Sequence, residues 1–386
     1  MEARSVHILG ICGTFMGGLA LLAKETGLKV TGSDENIYPP MSNLLKEQGI
    51  EVIQGYKKKD LPRAEIYLIG NVISRGNEVI EHILDTKLPY ASGPEWMLEN
   101  ILKNRRVVAV SGTHGKTSTT AMITWMLESA GLKPGFLIAG SPKDFSISAR
   151  IGKDEFFVIE ADEYDTAFFD KRAKFVHYHP EVLVINNLEF DHADIYSNLE
   201  EIQKQFHNLI RAMPSYGCLI CPDDNKNIEE VLELGVWSEV NKFGVDKKNP
   251  NYYETIKEDY SSIRFHLDND FEDINWNLTG EYNVSNAMAA LLVLNHLNVP
   301  LSSSAKALET FSGVSRRLDV LIDRKDLKLI DDFAHHPTAI KETLKGLRSR
   351  YKENRIIALI EIRSNTMKSG LHDKKLIKAT KEADLV

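Results

Sequence analysis

Apolar residues fall along this chain in short runs of β-branched and aliphatic side chains, each followed by a stretch of helical period. Val6-His7-Ile8-Leu9-Gly10-Ile11 opens the series and leads into an apolar helix through Lys24. Lys29-Val30-Thr31-Gly32, Glu51-Val52-Ile53 and the segment from Glu65 to Ile69 continue it, with helices between. Runs that are apolar on both faces and alternate with helices predict parallel strands covered on both sides. The pattern restarts at Val107-Val108-Ala109-Val110, with later strands expected at Phe156-Phe157-Val158-Ile159 and Val182-Leu183-Val184-Ile185. From Asn249 to Leu278 it turns to polar alternation, as in Ile263-Arg264-Phe265-His266-Leu267, which predicts antiparallel hairpins at an edge. Helices are expected from Asn283 to Leu297 and near Ser304 to Phe311.

A third series opens around Arg317-Leu318-Asp319-Val320. It offers strands at Lys328-Leu329-Ile330-Asp331 and Ile356-Ile357-Ala358-Leu359-Ile360, joined by a helix from Thr338 to Arg350. It stops at Ala383-Asp384-Leu385-Val386, the opening of another strand. Two or three such units are too few to cover a doubly wound sheet, so this region reads as incomplete. The expected fold is therefore α/β with three domains, at 1–104, 105–314 and 315–386, and Lys103-Asn104-Arg105-Arg106 as the first linker.

Composition narrows the classes. A hydrophobic share of 43% and a charged share of 26% are those of an ordinary globular protein. The net charge of −8 supplies no field for nucleic acid, so no nucleic-acid partner is expected. No apolar run is long enough to cross a bilayer, and the chain enters a strand too early for a signal peptide. Three cysteines argue against a disulfide framework and for a reducing cytoplasm. Cys218 and Cys221 have odd separation within one strand, so they should face opposite ways as small buried hydrophobes rather than share a metal.

The most informative stretch is Ser111-Gly112-Thr113-His114-Gly115-Lys116-Thr117-Ser118, between a predicted strand and a helix from Thr119 to Ala130. Strand, Gly-rich turn and helix N-terminus together make an anion cradle of backbone N–H groups. Lys116 would reach terminal phosphates and the Thr117 hydroxyl a magnesium ion, which implies ATP. Val110 stands where the usual loop has its first glycine. Two further strand ends carry candidate ligands at the same sheet edge: Glu160-Ala161-Asp162-Glu163-Tyr164-Asp165 and Asn186-Asn187-Leu188-Glu189-Phe190-Asp191-His192. Glu160 would project beside Thr117 to hold Mg²⁺, while His192 reads either as an ordinary loop histidine or as a ligand of a second Mg²⁺ or Mn²⁺, although Mg²⁺ favours oxygen. Arg316 and Arg317 sit at a hinge where a guanidinium can clamp phosphate as domains close. His335 and His336 follow Asp331-Asp332, but no partner pair has zinc-site spacing. The N-terminal cluster Gly10, Gly13, Gly17 and Gly18, with Asp34 after the second strand, suits either a dinucleotide or the diphosphate of a sugar nucleotide. A nicotinamide dehydrogenase would leave the second phosphate loop unexplained.

With these motifs in view the chain resembles the Mur ligases, ATP-dependent amide-forming enzymes of peptidoglycan assembly. The likeness extends through Gly280-Glu281-Tyr282-Asn283-Val284-Ser285-Asn286-Ala287, Ser315-Arg316-Arg317 and Asp331-Asp332-Phe333-Ala334-His335-His336-Pro337. The N-terminal Gly13-Thr14-Phe15-Met16-Gly17, Tyr38-Pro39-Pro40-Met41-Ser42 and Arg363-Ser364-Asn365-Thr366-Met367-Lys368 look most like the branch that joins L-alanyl-γ-D-glutamyl-meso-diaminopimelate to UDP-N-acetylmuramate. The branch that adds L-alanine to the same nucleotide sugar, or a non-catalytic nucleotide-sugar binder, are the alternatives. The resemblance implies a UDP-binding domain, a central ATPase and a C-terminal Rossmann-like domain. It implies that Lys116, Glu160, His192 and Arg317 are catalytic. Gly112, Thr113, His114, Gly115, Lys116, Thr117, Ser118, Asn283, Asn286 and Asp332 would hold ATP, with Thr117, Glu160 and His192 on the metal. Gly13, Thr14, Phe15, Met16, Gly17, Asp34, Ser74 and Arg75 would hold the UDP-sugar, and Arg363, Asn365 and Lys368 the peptide. No membrane or obligatory protein partner is implied.

Overall fold

The structure is a computed structural model that describes residues 4–193, 195–362, 365–368, 370 and 372–386. Its first sheet is built from β1 (Ser5–Leu9), β2 (Lys29–Asp34), β3 (Glu51–Gln54), β4 (Ile66–Ile69) and β5 (Tyr90–Ser92). All neighbours are parallel, in the order β3-β2-β1-β4-β5. The connecting helices are α1 (Thr14–Glu25), α2 (Met41–Glu47), α3 (Glu78–Asp85) and α4 (Gly93–Met97). Met16 to Ala23 of α1 are all buried, because this helix is covered by its own sheet and by the next domain. Gly18 permits that double contact: a Cβ there would crowd the Leu137 side chain at 3.2 Å.

The second sheet contains β6 (Arg106–Ser111), β7 (Gly135–Leu137), β8 (Ala149–Arg150) and β9 (Phe156–Glu160). After a separate hairpin of β10 (Asp165–Ala167) and β11 (Asp170–Ala173) come β12 (Val182–Ile185), β13 (Cys218–Pro222) and β14 (Glu239–Phe243). The order is β14-β13-β12-β6-β9-β7-β8, parallel except for β7 with β8. The central strand β6 thus has β9 on one side and β12 on the other. Val110 faces Glu160 and Ser111 faces Ile185 in register, so all three carboxyl ends meet at one edge. Cys218 belongs to the core on one face of this sheet and Cys221 to the core on the other, as their odd spacing predicts. The faces are covered by α5 (Lys116–Ser129), α6 (Leu199–Ile210), α7 (Lys226–Glu233), α8 (Glu281–His296) and α9 (Leu301–Glu309). Antiparallel β15 (Asn251–Thr255), β16 (Ser262–Leu267) and β17 (Asp270–Asn275) form the alternating segment. Arg106, expected in a linker, is instead the first residue of β6, held by Glu181 at 2.6 Å.

The last part departs further from expectation. β18 (Asp319–Asp323) and β19 (Lys328–Asp331) form an antiparallel ribbon, since the four residues between them allow only a tight turn. Ile356–Ile360 forms no strand among the described residues; it makes one parallel bridge, Ile357 to Leu385. A small core of Ile340, Leu344, Met367 and Ala379 joins α10 (Pro337–Arg350), α11 (Asn365–Lys368) and α12 (Asp373–Ala379). No helix among the described residues is long and apolar enough to cross a membrane.

Candidate active site

The phosphate loop turns on two glycines. Gly112 (φ +125°) and Gly115 (φ +81°) have backbone angles that side chains resist, and a Cβ on Gly112 would meet the Asn187 carbonyl at 2.9 Å. Val110, in place of the usual first glycine, is buried inside β6. The loop is bolted to the segment after β12: the His114 N–H donates to Asn187 Oδ1 (2.8 Å) and the Glu189 N–H to Thr113 Oγ1 (2.9 Å). Asn286 of α8 packs onto Gly115 from above, while the Asn283 side chain donates to Thr279 within its own segment (2.8 Å).

Around the start of α5 lies a buried network of charge. Lys116 Nζ donates to the Gly112 carbonyl (2.8 Å) and to Glu163 Oε2 (2.9 Å), with Asp162 Oδ1 at 3.4 Å. Burial pulls the ammonium's pKa down, but the Glu163 and Asp162 carboxylates more than offset it, so the net shift is upward. Thr117 Oγ1 donates to Glu160 Oε1 (3.0 Å), and Glu160 Oε2 accepts the Ala139 N–H (2.9 Å). Burial nevertheless raises the Glu160 carboxyl above the usual carboxylate range. His192 Nε2 meets Glu163 Oε1 at 3.0 Å; burial lowers the imidazole, but the Glu163 carboxylate raises it further, leaving it net raised. Glu163 is pressed upward by burial, yet Lys116 and His192 drive it well below its normal value. Asp162, Glu163 and His192 offer ligand atoms within 4.8 Å of one another. With Thr117 and Glu160 beside them, this mainly oxygen donor set suits a hard divalent cation.

Each remaining residue named from the sequence, Arg363 excepted, has a place. Arg317 reaches from the hinge to within 3.4 Å of Thr117 Oγ1 and stacks its guanidinium over Phe333. Ser118 is half-buried on the first turn of α5. Asp332 accepts backbone N–H groups from Leu318 (2.8 Å) and Ala334 (2.9 Å), so its carboxylate shapes the hinge. Gly13, Thr14, Phe15, Met16 and Gly17 lie at or near the N-terminus of α1, where Asp34 Oδ2 holds the Cys12 N–H (2.9 Å). Ser74 and Arg75 are exposed beyond β4, with Arg75 paired to Glu81 at 2.9 Å. Arg363 lies outside the described residues. Asn365 and Lys368 bound α11, which approaches the His192 loop through an Ala193 N–H to Thr366 Oγ1 bond (3.3 Å). The site residue left unassigned from sequence is Glu163. Its signal was the acidic run; what could not be read was which carboxylate turns inward to Lys116.

A parallel sheet with a phosphate loop on its central strand, and acids on its neighbours, defines a nucleoside-triphosphate-using α/β enzyme. Residues 5–105 match the Mur ligase family catalytic domain, 110–294 the Mur ligase middle domain and 316–386 the Mur ligase glutamate ligase domain. The chain is 48% identical over 386 residues, 99% of its length and 85% of the relative's, to the UDP-N-acetylmuramate–L-alanyl-gamma-D-glutamyl-meso-2,6-diaminoheptandioate ligase of Haemophilus influenzae. It is 31% identical, over 93% of its length and 75% of the relative's, to the UDP-N-acetylmuramate–L-alanine ligase of a Psychrobacter species. A solved murein peptide ligase from Psychrobacter arcticus superposes with a TM-score of 0.83 at 43% identity, covering 99% of this chain and 84% of that one. The chain belongs to the Mur ligase family.

Proposed function

We propose that the chain uses ATP to join L-alanyl-γ-D-glutamyl-meso-diaminopimelate to UDP-N-acetylmuramate, in reuse of peptidoglycan fragments. The observation that carries this is the much greater likeness to tripeptide ligases (48%) than to L-alanine ligases (31%), over a complete charge network at the phosphate loop. The muramyl carboxylate attacks the γ-phosphorus: an oxygen–phosphorus bond forms, the bond to the bridging oxygen breaks, and its electron pair leaves with ADP. The free amine of the tripeptide then attacks the acyl carbon, loses a proton, and expels phosphate. Lys116 would neutralise the transferred group and Arg317 would clamp it, a reading supported by their contacts at the phosphate loop. Thr117 and Glu160, with His192 and its partners Asp162 and Glu163, would hold Mg²⁺ or Mn²⁺, which supplies further charge neutralisation when bound. The glycine turn at α1 would take the UDP-sugar and the α11 segment the peptide, with Arg363, Asn365 and Lys368 as the peptide contacts. The three domains would divide at 1–104, 105–314 and 315–386. Cytoplasmic location is part of the same proposal, supported by three free cysteines.

The test is ADP formation with UDP-N-acetylmuramate and either tripeptide or L-alanine. Turnover with tripeptide is expected, and a preference for L-alanine would replace this reading with the sister reaction. Lys116→Ala should lower kcat by about 10²-fold or more; unchanged turnover would remove the loop from the mechanism.

A further inference from the structure

Lys174 follows β11 at the seam between the first two domains. Its backbone N–H donates to the Tyr164 carbonyl at 2.9 Å, folding the β10–β11 hairpin back along the acidic run. Its side chain is only 7% exposed. The ammonium lies 5.6 Å from the ring centre of Phe15, in the first turn of α1, and 5.6 Å from that of Tyr164. Unlike Lys116, it makes no ion pair and no side-chain hydrogen bond among the described residues. Burial lowers its pKa, while Asp162, Asp165 and Glu163 at longer range work to keep it charged.

An ammonium packed between two aromatic faces, on a largely buried side chain with no adjacent anion or acceptor among the described residues, is only partly compensated for the hydration it has lost. Such a charge is accounted for if a ligand brings the missing anion. The neighbouring N-terminus of α1 attracts negative charge independently. Two anionic groups of the nucleotide sugar compete for this position. In the ligase reading above, the diphosphate would be served by the backbone of the glycine turn. Lys174, by contrast, sits one ring beyond that turn, on the side of Tyr164, Asp162 and the Lys116 network.

We propose that Lys174 binds the carboxylate of the muramyl lactyl group and holds its attacking oxygen toward the γ-phosphate. This rests on the ligase reading above. The lysine keeps its proton throughout, so the bonds made and broken are those already described. It offsets charge as two anions approach and orients the nucleophile.

The experiment compares wild type, Lys174→Met and Lys174→Arg in ADP formation. It adds inhibition by UDP-N-acetylglucosamine, which has the uridine diphosphate sugar without the lactyl carboxylate. In Lys174→Met, kcat/KM for UDP-N-acetylmuramate should fall about 10- to 100-fold. Lys174→Arg should recover part of that loss, and the inhibitor should bind all three equally. A parallel loss of inhibitor binding would assign Lys174 to the diphosphate and overturn the proposal, as would full activity of Lys174→Met. Should the variants fail to fold, wild-type crystals with UDP-N-acetylmuramate decide: a carboxylate oxygen about 3 Å from Nζ supports the contact and one elsewhere refutes it. A wild type inert with every acceptor would instead sink the ligase reading itself.

Discussion

Glu163 is 2% exposed and bridges the Lys116 ammonium at 2.9 Å and the His192 ring at 3.0 Å. Contacts with both help keep the carboxylate ionised. Glu163→Gln keeps the shape and removes the charge, so Lys116 loses a partner and the candidate cation site loses an anionic donor. The magnesium concentration for half-maximal ADP formation should rise about tenfold or more, read by titrating the metal at saturating ATP. An unchanged titration would show that Glu163 only parks Lys116. Which acidic residue matters was not legible in Glu160-Ala161-Asp162-Glu163, because Glu160 ends a strand and the others turn in a loop whose path depends on His192, 29 residues later. Lys116, Thr117 and Glu160 were legible, since their positions follow from strand ends alone. Lys174 was invisible because its burial comes from Phe15 and Tyr164, packed in from other parts of the chain.

Element by element, the parallel strands were the easiest to read because a strand buried on both faces is apolar throughout, as Val182–Ile185 is. The ribbon of β18 and β19 was not, because pairing direction depends on a turn and not on hydrophobicity. One junction between elements has a pH dependence. His114 of the phosphate loop and His336, which caps α10, lie with ring centres 4.7 Å apart, and His372 stacks edge-on against His336 at 4.8 Å. Glu189, Asp191, His335, Lys116 and Lys375 are the other charged or titratable groups acting there. Burial, helped by His336 and Lys116, pushes His114 down to about 3, and burial pushes His336 down to about 4 against the opposing pull of Asp191. The unfolded chain therefore takes up protons below about pH 6.5 that the folded chain refuses, so stability is full above that pH and falls as pH drops toward 4. His336→Gln should remove one such proton. Its Tm should decline less steeply from pH 6.5 to 5, with the slope of stability reduced by up to about 1.4 kcal/mol per pH unit. His192 has the opposite sign, its pKa being raised, but it is common to both proteins. Parallel pH profiles would show that the His336 ring is accessible to protons in the folded state.

At the scale of the whole molecule, the region matched by the glutamate ligase domain meets the phosphate-loop domain through several polar contacts among the described residues. Thr338 Oγ1 donates to Glu189 (2.8 Å), Arg350 donates to the Asn277 (2.7 Å) and Leu278 (3.0 Å) carbonyls, and Lys345 pairs with Glu281 (3.0 Å). Exposed or half-exposed pairs of this kind are weak singly, so a ligand that touches both sides would strengthen the contact between them. Arg317 is the residue that would couple the two, being anchored on Phe333 of the third domain and reaching Thr117 of the second. A non-hydrolysable ATP analogue at about 100 times its Kd adds about 2.7 kcal/mol to the form that binds it. Thermal unfolding with and without the analogue should show a rise of several degrees in the wild type. In Arg317→Ala the rise should shrink because the analogue's grip on the third domain is lost, while the Tm without ligand should change little. Arg350→Ala gives the complementary result if closure is the issue: it loosens the same domain without touching phosphate. Its unliganded Tm should drop, while the ligand-induced increment stays near that of the wild type. Equal increments in all three proteins would mean that the analogue binds wholly within the second domain and that closure of the third is independent of it.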